Sequence, residues 1–390
     1  MNDVFVVSAV RTPVGKQKGI LREYSAPALL ALVLNEAVER IKLDVNQVDD
    51  VITGCVYQIG EQGFNIARMG VLESKLPVTI GGISVNRQCG SGLSAIQMGA
   101  GMIASGMMDT VIASGCELMS KYGIASDLNC TLSNGQNAGH PISKAYLDRY
   151  GIPSQMVSAQ AIANQWKIPK EECQDFAISS HGKALAATQN GYFKREILPV
   201  QGLDRDGNGI LCETDEPIRA GVTREGLDAL KVIPGTEWIT AGLSSTVTDG
   251  ASAVVLMSGD RVNKLGLTPL VRVVASAVVG SDPKLMLTGP ITATPKVLKK
   301  AGLSMADIDI FEVNEAFAPI PLAWAKELKA DREKLNVNGG ALALGHPVGN
   351  SGCRLSVTAI YELHRRNARY ALVTLCTGGG QAPATIFERV

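Results

Sequence analysis

The sequence predicts an α/β protein in which one structural unit occurs twice. The first observation is a repeated order of segments: Val-Asn, glycine-rich turn, helix, strand and a second glycine-rich turn begin at Val85 and again at Val337. The second is that the helix after the first turn is apolar on all sides, which is typical of a buried helix. The third is size, because 390 residues, 46% of them hydrophobic, are enough for large cores. Chance similarity of two α/β patterns is the alternative explanation of the repeat.

The first copy starts with a predicted helix over 29–41 and a predicted strand over 50–55. A glycine-rich turn at Cys89 follows, then a small-residue helix over about 92–106 and a strand that starts at Thr110. The second copy has the same order of elements. They are a helix over 295–301, a strand over 308–313, a turn at His346, a helix over 351–366, and a strand over 370–375 that ends beside Cys376.

Residues 119–245 match neither copy and are richer in Asn, Ser, Gln and Lys. They contain predicted helices over 155–166 and 171–189. We expect this segment to be an inserted loop domain that covers the functional site. The predicted domains are therefore an N-terminal half, 1–118, completed by 246–268, the insertion, 119–245, and a C-terminal half, 269–390.

Composition argues against several classes of partner. Lys plus Arg and Asp plus Glu both number 37, so no net charge favours nucleic acid or a membrane surface. The sequence has no apolar run long enough for a transmembrane helix, and its first residues do not resemble a signal peptide. The eight cysteines form no C-x-x-C pair, which argues against a zinc site or a disulfide framework. A cytoplasmic protein without a metal is expected.

Three glycine-rich turns carry the residues that are most suited to chemistry: Cys89, His346 and Cys376. A thiolate is a good nucleophile and leaving group in thioester exchange, and a thiol at the start of a helix has its thiolate stabilised. His346 is a candidate base, and glycine N–H groups can stabilise a developing oxyanion. One cysteine that carries an acyl group and another that moves a proton at carbon would suit a Claisen condensation or its reverse. The alternatives are small buried cysteines and a structural His-Pro turn.

The segment 204–210 resembles the start of a calcium-binding EF-hand loop, with Asp215 at the twelfth position. It lacks an entering helix, because 197–200 has the pattern of a strand, and it lacks a glutamate at that twelfth position. We expect a hairpin turn there instead.

Five motifs across the whole length resemble those of the thiolases, which are acyl-CoA C-acyltransferases. These motifs are Ser-Ala-Val-Arg-Thr-Pro-Val-Gly from Ser8, the Cys89 turn, Asn-Glu-Ala-Phe from Asn314, Gly-Gly-Ala-Leu-Ala-Leu-Gly-His-Pro from Gly339, and the Cys376 turn. The resemblance implies a thiolase-like duplicated five-layer α/β/α/β/α core with an inserted loop domain. It also implies that coenzyme A thioesters are substrates, that no cofactor is needed, and that the protein is a homodimer or homotetramer.

The resemblance further implies a role for each matching residue. Cys89 would become acylated, His346 would activate it, and Cys376 would exchange the α-proton of acetyl-CoA. His346 with a water held by Asn314 would form one oxyanion hole, and the N–H groups of Cys89 and Gly378 the other. The residues expected to contact coenzyme A or the thioester are Arg219, Ala241, Ser245, Ala316 and Phe317.

The sequence departs from the biosynthetic thiolase pattern over 154–160 and at Asn350 and Gln381. These departures leave the reactive residues in place, so they affect the expected acyl-chain preference rather than the chemistry. A non-catalytic acyl-CoA binding protein on the same fold is the alternative function, and a β-ketoacyl synthase is disfavoured because Asn314 stands where a second histidine would be needed.

Overall fold

A computed structural model describes residues 2–128 and 130–390 of the chain. The strands are β1 (Val4–Arg11), β2 (Gly15–Lys16), β3 (Asp50–Gly54), β4 (Ile83–Val85), β5 (Thr110–Leu118), β6 (Val200–Leu203), β7 (Gly209–Cys212), β8 (Thr248–Ser258), β9 (Val271–Gly280), β10 (Ile310–Val313), β11 (Tyr370–Thr374) and β12 (Gln381–Arg389). The helices are α1 (Ala26–Glu39), α2 (Ile66–Glu73), α3 (Ser91–Ala104), α4 (Lys144–Tyr150), α5 (Gln155–Gln165), α6 (Lys170–Gln189), α7 (Arg224–Asp228), α8 (Gly259–Leu265), α9 (Gly289–Ala301), α10 (Pro319–Leu328), α11 (Ala341–Leu344) and α12 (Ser351–Arg366).

The large sheet has two halves that share a pattern. Its strand order is β10-β11-β12-β9-β1-β8-β5-β3-β4, with β2 paired to β8. In each half a parallel pair, β3–β5 or β10–β11, continues into antiparallel strands. A short pairing of Phe5 and Val6 with Arg272 and Val271 joins the halves.

The helices and the two half-sheets together form five layers. One core cluster contains α3, α12 and apolar residues from both half-sheets, so these two helices form the middle layer. A second cluster packs α1 and α2 on the other face of the first half-sheet. A third packs α9 and α10 on the other face of the second. The α/β/α/β/α arrangement expected from the sequence is therefore confirmed.

The middle helices cross with their backbones in direct contact. A Cβ atom on Gly92 would lie 2.7 Å from the Cys353 nitrogen, and one on Gly352 would lie 2.2 Å from the Leu93 nitrogen. Only glycine permits such an approach. Beyond the crossing, buried side chains such as Ile96 on α3 pack between the sheets, and each contributes about 1.5–3 kcal/mol by leaving water.

The repeat extends to individual hydrogen bonds. Asp49 and Asp309 lie 260 positions apart in the sequence. The Asp49 carboxylate accepts the N–H of Thr110 at 2.8 Å, and the Asp309 carboxylate accepts the N–H of Tyr370 at 2.9 Å. Because Thr110 and Tyr370 begin the equivalent strands β5 and β11, each aspartate fixes the start of its strand.

Two predicted elements differ from the structure. The helix expected over 295–301 begins at Gly289, because Pro290 occupies a first-turn position and packing on β9 and β12 holds the helix through Pro295. The strand expected over 197–200 begins only at Val200, because Leu198 N–H donates to the carbonyl of Arg11 at 2.7 Å instead.

The hairpin expected at 204–210 is confirmed, since β6 and β7 pair antiparallel around it. The segment between β5 and β8 also holds α4, α5, α6 and α7. The domain boundaries given above stay a prediction. Within the described residues, no helix is both long and apolar enough to cross a membrane.

Candidate active site

The glycine-rich turns of both halves meet at one cavity of about 1020 Å³. Cys89, His346 and Gly378 all line it. Residues of the inserted segment, among them Ile142 and Met156, line it as well. The fold thus brings together Cys89 and Gly378, which are 289 positions apart in the sequence.

Cys89 lies between the end of β4 and the start of α3, and only 6% of its surface is exposed. Gln88 has a left-handed backbone with φ of 49°, which turns the chain into the helix. The Ser91 hydroxyl accepts the N–H of Arg87 at 2.8 Å and donates to the Gln88 carbonyl at 2.6 Å. These bonds fix the position of the thiol.

The surroundings of the Cys89 thiol affect its pKa in opposite directions. Burial raises the pKa to about 11, and the negative charge of Glu117 adds to this. Hydrogen bonds from the backbone N–H groups of Gly378 and of Cys89 itself lower it. These N–H groups favour the thiolate, but the thiol stays protonated at neutral pH and needs a base to become a nucleophile.

His346 follows Gly345, whose φ of 87° favours glycine. The His346 Nδ1 lies 2.6 Å from the Ser351 hydroxyl, which donates its own proton to the Pro347 carbonyl at 2.9 Å. With the Ser351 proton donated to the Pro347 carbonyl, Nδ1 carries the proton of the ring and Nε2 keeps its lone pair. Burial lowers the pKa of His346 to about 3, so the ring is neutral.

Asn314 follows β10 and supports the imidazole from the other side. Its Nδ2 lies 3.3 Å from the His346 Nε2, and its backbone N–H donates to the Thr374 carbonyl at 3.1 Å. The buried Oδ1 of Asn314 has no hydrogen-bond partner among the described residues, so it keeps an acceptor for a bound water or ligand.

Cys376 lies after β11 and is 1% exposed. Burial raises the pKa of its thiol well above the usual range, and the nearby Cys89 raises it further. The turn that holds Cys376 packs against the Cys89 turn, since a Cβ atom on Gly90 would lie 2.9 Å from the Thr377 side chain. The turn is closed by the N–H of Thr377, which donates to the Gln381 carbonyl at 3.0 Å.

All five residues predicted to contact coenzyme A line the cavity: Arg219, Ala241, Ser245, Ala316 and Phe317. The N–H of Ser245 donates to the Ala316 carbonyl at 3.0 Å, so the two segments are held together. The backbone N–H of Arg219 donates to Nδ1 of the buried His181 at 3.2 Å. Asn314 and Cys376 do not line the cavity themselves. Asn314 contacts His346, which does line it, and Cys376 is affected by Cys89, which also lines it.

Comparisons with known proteins agree with this geometry. The model of the thiolase N-terminal domain matches residues 4–260, and that of the C-terminal domain matches 267–389. A steroid 3-ketoacyl-CoA thiolase of Mycobacterium tuberculosis is 41% identical over 392 residues, covering 100% of this chain and 95% of that protein. An acetyl-CoA acetyltransferase of Pseudomonas aeruginosa is 41% identical over 396 residues, covering 100% of both. The crystal structure of human mitochondrial 3-ketoacyl-CoA thiolase superimposes with a TM-score of 0.90 at 36% identity, covering 100% of this chain and 99% of that one.

The chain belongs to the thiolase family. As a thiolase it is an acyltransferase, as its motifs predict. In the part of the chain that the structure describes, no group of three or more His, Cys, Asp or Glu side chains could hold a metal ion.

Two residues of this thiolase site were missed in the sequence. Ser351 orients His346. A Ser-Gly pair follows the Cys89 turn in the first half and the His346 turn in the second, and this repeat could have indicated the role of Ser351. The buried Glu117 accepts N–H groups from Val56 at 2.8 Å and Gly349 at 2.9 Å, so it connects the two halves beside the cavity. A charged residue inside an otherwise apolar strand was its signal.

Proposed function

We propose that this thiolase transfers acyl groups between coenzyme A and acetyl-CoA through an acyl group carried on Cys89. The reaction is a Claisen condensation in one direction and thiolytic cleavage of a 3-ketoacyl-CoA in the other. The observation that carries the proposal is one cavity lined by the Cys89 thiol, the neutral imidazole of His346 and Gly378, with the turn that holds Cys376 packed against the Cys89 turn.

Acyl transfer begins with a proton transfer from the Cys89 thiol to the Nε2 of His346. The neutral ring supports this role, because its Nδ1–H is already donated to Ser351. The thiolate attacks the acyl carbonyl, whose oxygen accepts the N–H groups of Cys89 and Gly378. The carbon–sulfur bond to coenzyme A breaks and a thioester forms on Cys89. The departing coenzyme A thiolate takes the proton of the Cys376 thiol, which leaves Cys376 as a thiolate.

The second half-reaction needs a base at carbon. The Cys376 thiolate takes a proton from the α-carbon of acetyl-CoA, and the resulting enolate attacks the thioester on Cys89. The new carbon–carbon bond forms, the bond from the acyl carbon to the Cys89 sulfur breaks, and a 3-ketoacyl-CoA is released. The Cys89 thiolate then recovers its proton from His346. The enolate oxygen is stabilised by His346 and by a water held by the free Oδ1 of Asn314.

Coenzyme A lies along the inserted segment in this proposal. Arg219 is near its adenine and phosphates, Ala241 and Ser245 are near the pantetheine, and Ala316 and Phe317 line the thioester end. Every step uses side chains or N–H groups of the chain together with coenzyme A thioesters, and the proposal includes no cofactor.

A homodimer or homotetramer is part of the proposal. Strand β4 lies at the edge of the large sheet, and an exposed edge can pair with another chain. Around it Phe64 is 89% exposed, Val78 70% and Ile83 39%. Light scattering on the purified protein should therefore give the mass of two or four chains, and a monomer at micromolar concentration would contradict this.

We also propose that the protein acts in a reducing compartment such as the cytoplasm. All eight cysteines are free thiols, and the proposed chemistry needs two of them reduced.

Alkylation by iodoacetamide tests the proposed nucleophile. We expect the label on Cys89, with protection by an acyl-CoA and a rate that rises about tenfold per pH unit towards the thiol pKa of about 11. Cys89→Ala should lose the label and about 10⁴-fold or more of acetoacetyl-CoA cleavage. Cys173→Ala, a buried cysteine on α6, is the matched control and should keep both. An unreactive Cys89 together with no turnover would favour the non-catalytic acyl-CoA binding protein.

A further inference from the structure

Two glutamine side chains converge on Gly378 from different parts of the chain. A Cβ atom placed on Gly378 would lie 3.4 Å from the Gln88 Oε1 and 3.6 Å from the Gln155 Nε2. Gln88 comes from the nucleophile turn of the first half, and Gln155 begins α5 in the inserted segment. Both side chains line the cavity.

Neither amide is used to hold the protein together. No hydrogen bond joins the side chain of Gln88 or Gln155 to another described residue. Two buried glutamines behave differently: the Gln62 amide donates to the Tyr57 carbonyl at 2.8 Å, and the Gln160 amide accepts the N–H of Glu237 at 3.1 Å. Gln88 and Gln155 therefore keep their donors and acceptors for a ligand.

The position of these amides relative to the reacting atoms matters. Gly378 lines the cavity together with Cys89 and is one of the two proposed oxyanion donors, so the space beside Gly378 is next to the acyl carbonyl in the proposed reaction. An acyl chain that leaves Cys89 through this space passes both amides. A plain alkyl chain would remove their water without replacing its hydrogen bonds, at a cost that disfavours that substrate.

We propose that Gln88 and Gln155 select acyl groups that carry a hydrogen-bonding oxygen a few bonds from the thioester. The inference rests on the proposed acyl transfer through Cys89 and names the substrate class of that same site. A hydroxyl, keto or carboxylate oxygen satisfies an amide donor, and a hydroxyl also satisfies an amide acceptor. Apolar residues elsewhere in the cavity, including Ile124 and Leu128, contact the carbon chain of the same substrate.

Three substrates of equal chain length test the selection. They are 3-oxohexanoyl-CoA, its analogue with a terminal hydroxyl, and 3-oxoadipyl-CoA, which ends in a carboxylate. We expect cleavage of at least one oxygenated substrate with a kcat/KM about tenfold or more above that of 3-oxohexanoyl-CoA, the effect of about one hydrogen bond. The hydroxyl and carboxylate substrates separate a neutral from an anionic preference.

Variants connect the preference to the two amides. Gln155→Met and Gln88→Met keep the length of the side chain and remove the amide, so each should lower the preference for the oxygenated substrate several-fold. Gln165→Met makes the same change at an exposed position of α5 and should leave the preference as it is.

Two outcomes would overturn the inference. One is an equal or better cleavage of 3-oxohexanoyl-CoA by the unmodified enzyme, a comparison that needs no variant to fold. The other is an unchanged preference in both glutamine variants while their melting temperatures match that of the unmodified enzyme. Loss of all turnover, including that of acetoacetyl-CoA, by the unmodified enzyme would instead contradict the proposed acyl transfer.

Discussion

The two halves of this thiolase have the same backbone plan but different chemistry at equivalent positions. With the 260-residue offset, Cys89 corresponds to Gly349, and His346 corresponds to Asn86. The Asn86 amide holds its own turn by donating to the Val56 carbonyl at 3.0 Å. Gly349 must be glycine, because a Cβ there would lie 2.4 Å from Glu117 Oε2.

The second turns differ in a similar way. Cys116 corresponds to Cys376, but β5 continues past Cys116, which pairs with Ala251 inside the sheet. Strand β11 stops at Thr374, so Cys376 enters a turn beside Cys89. Duplication of the fold therefore provided two similar frames, and the proposed nucleophile and bases were divided between them. One half alone would lack either the nucleophile or both bases.

The largest effect that tests this division is expected from the two equivalent cysteines. Cys376→Ala should lower exchange of the α-protons of acetyl-CoA by about 10²–10⁴-fold, because a base at carbon is lost, while Cys89 still accepts an acyl group. Deuterium exchange by NMR measures the first and intact-protein mass spectrometry the second.

Cys116→Ala is the matched change in the other half. It should keep proton exchange and reduce the free energy of unfolding by about 1 kcal/mol, as expected for one small buried group. Normal exchange in Cys376→Ala, or its loss in a folded Cys116→Ala, would contradict the proposed division.

The next largest effect is expected on stability, at the crossing of the two middle helices, α3 and α12. Gly352→Ala would place a Cβ 2.2 Å from the Leu93 nitrogen, so the free energy of unfolding should fall by about 3 kcal/mol or more. Gly101→Ala is the control, because it lies in α3 with nothing within 4 Å, and it should raise stability by about 0.5–1 kcal/mol. Chemical denaturation measures both, and equal effects of the two changes would show that the backbone contact at the crossing is unimportant.

The equivalent serines should show the smallest effect. Ser351→Ala removes the acceptor that fixes the proton on Nδ1 of His346, so kcat should fall about tenfold and the imidazole NMR signals should indicate a mixture of tautomers. Ser91→Ala loosens the Cys89 turn but contacts no reactive side chain, so its kcat should fall less and the His346 signals should stay unchanged. Threonine at 351 should restore the tautomer, and failure to do so with normal folding would contradict the positioning role.

Much of the fold could be predicted from the sequence because local patterns specify it. Periodicity located α3, α6 and α12 to within a few residues, the repeat predicted a duplicated α/β unit, and the resemblance to the thiolases implied the five layers. Errors arose where tertiary contacts override local preference. Pro295 lies inside α9 because the helix packs against β9 and β12, and Leu198 pairs with Arg11 rather than starting a strand.

The candidate site, too, could be predicted from the sequence only in part. Glycine-rich turns that carry Cys89, His346 and Cys376 are visible in the sequence because a tight turn with a reactive side chain needs those residue types in order. Only the tertiary structure decides that the Gly378 N–H meets the Cys89 thiol, that Ser351 fixes the proton of His346, and that two glutamines flank the acyl site. Those contacts join segments far apart in the chain, and they follow from the crossing of α3 and α12 between the sheets. A local sequence pattern does not specify that crossing, because the geometry of the crossing is set by packing across the whole core.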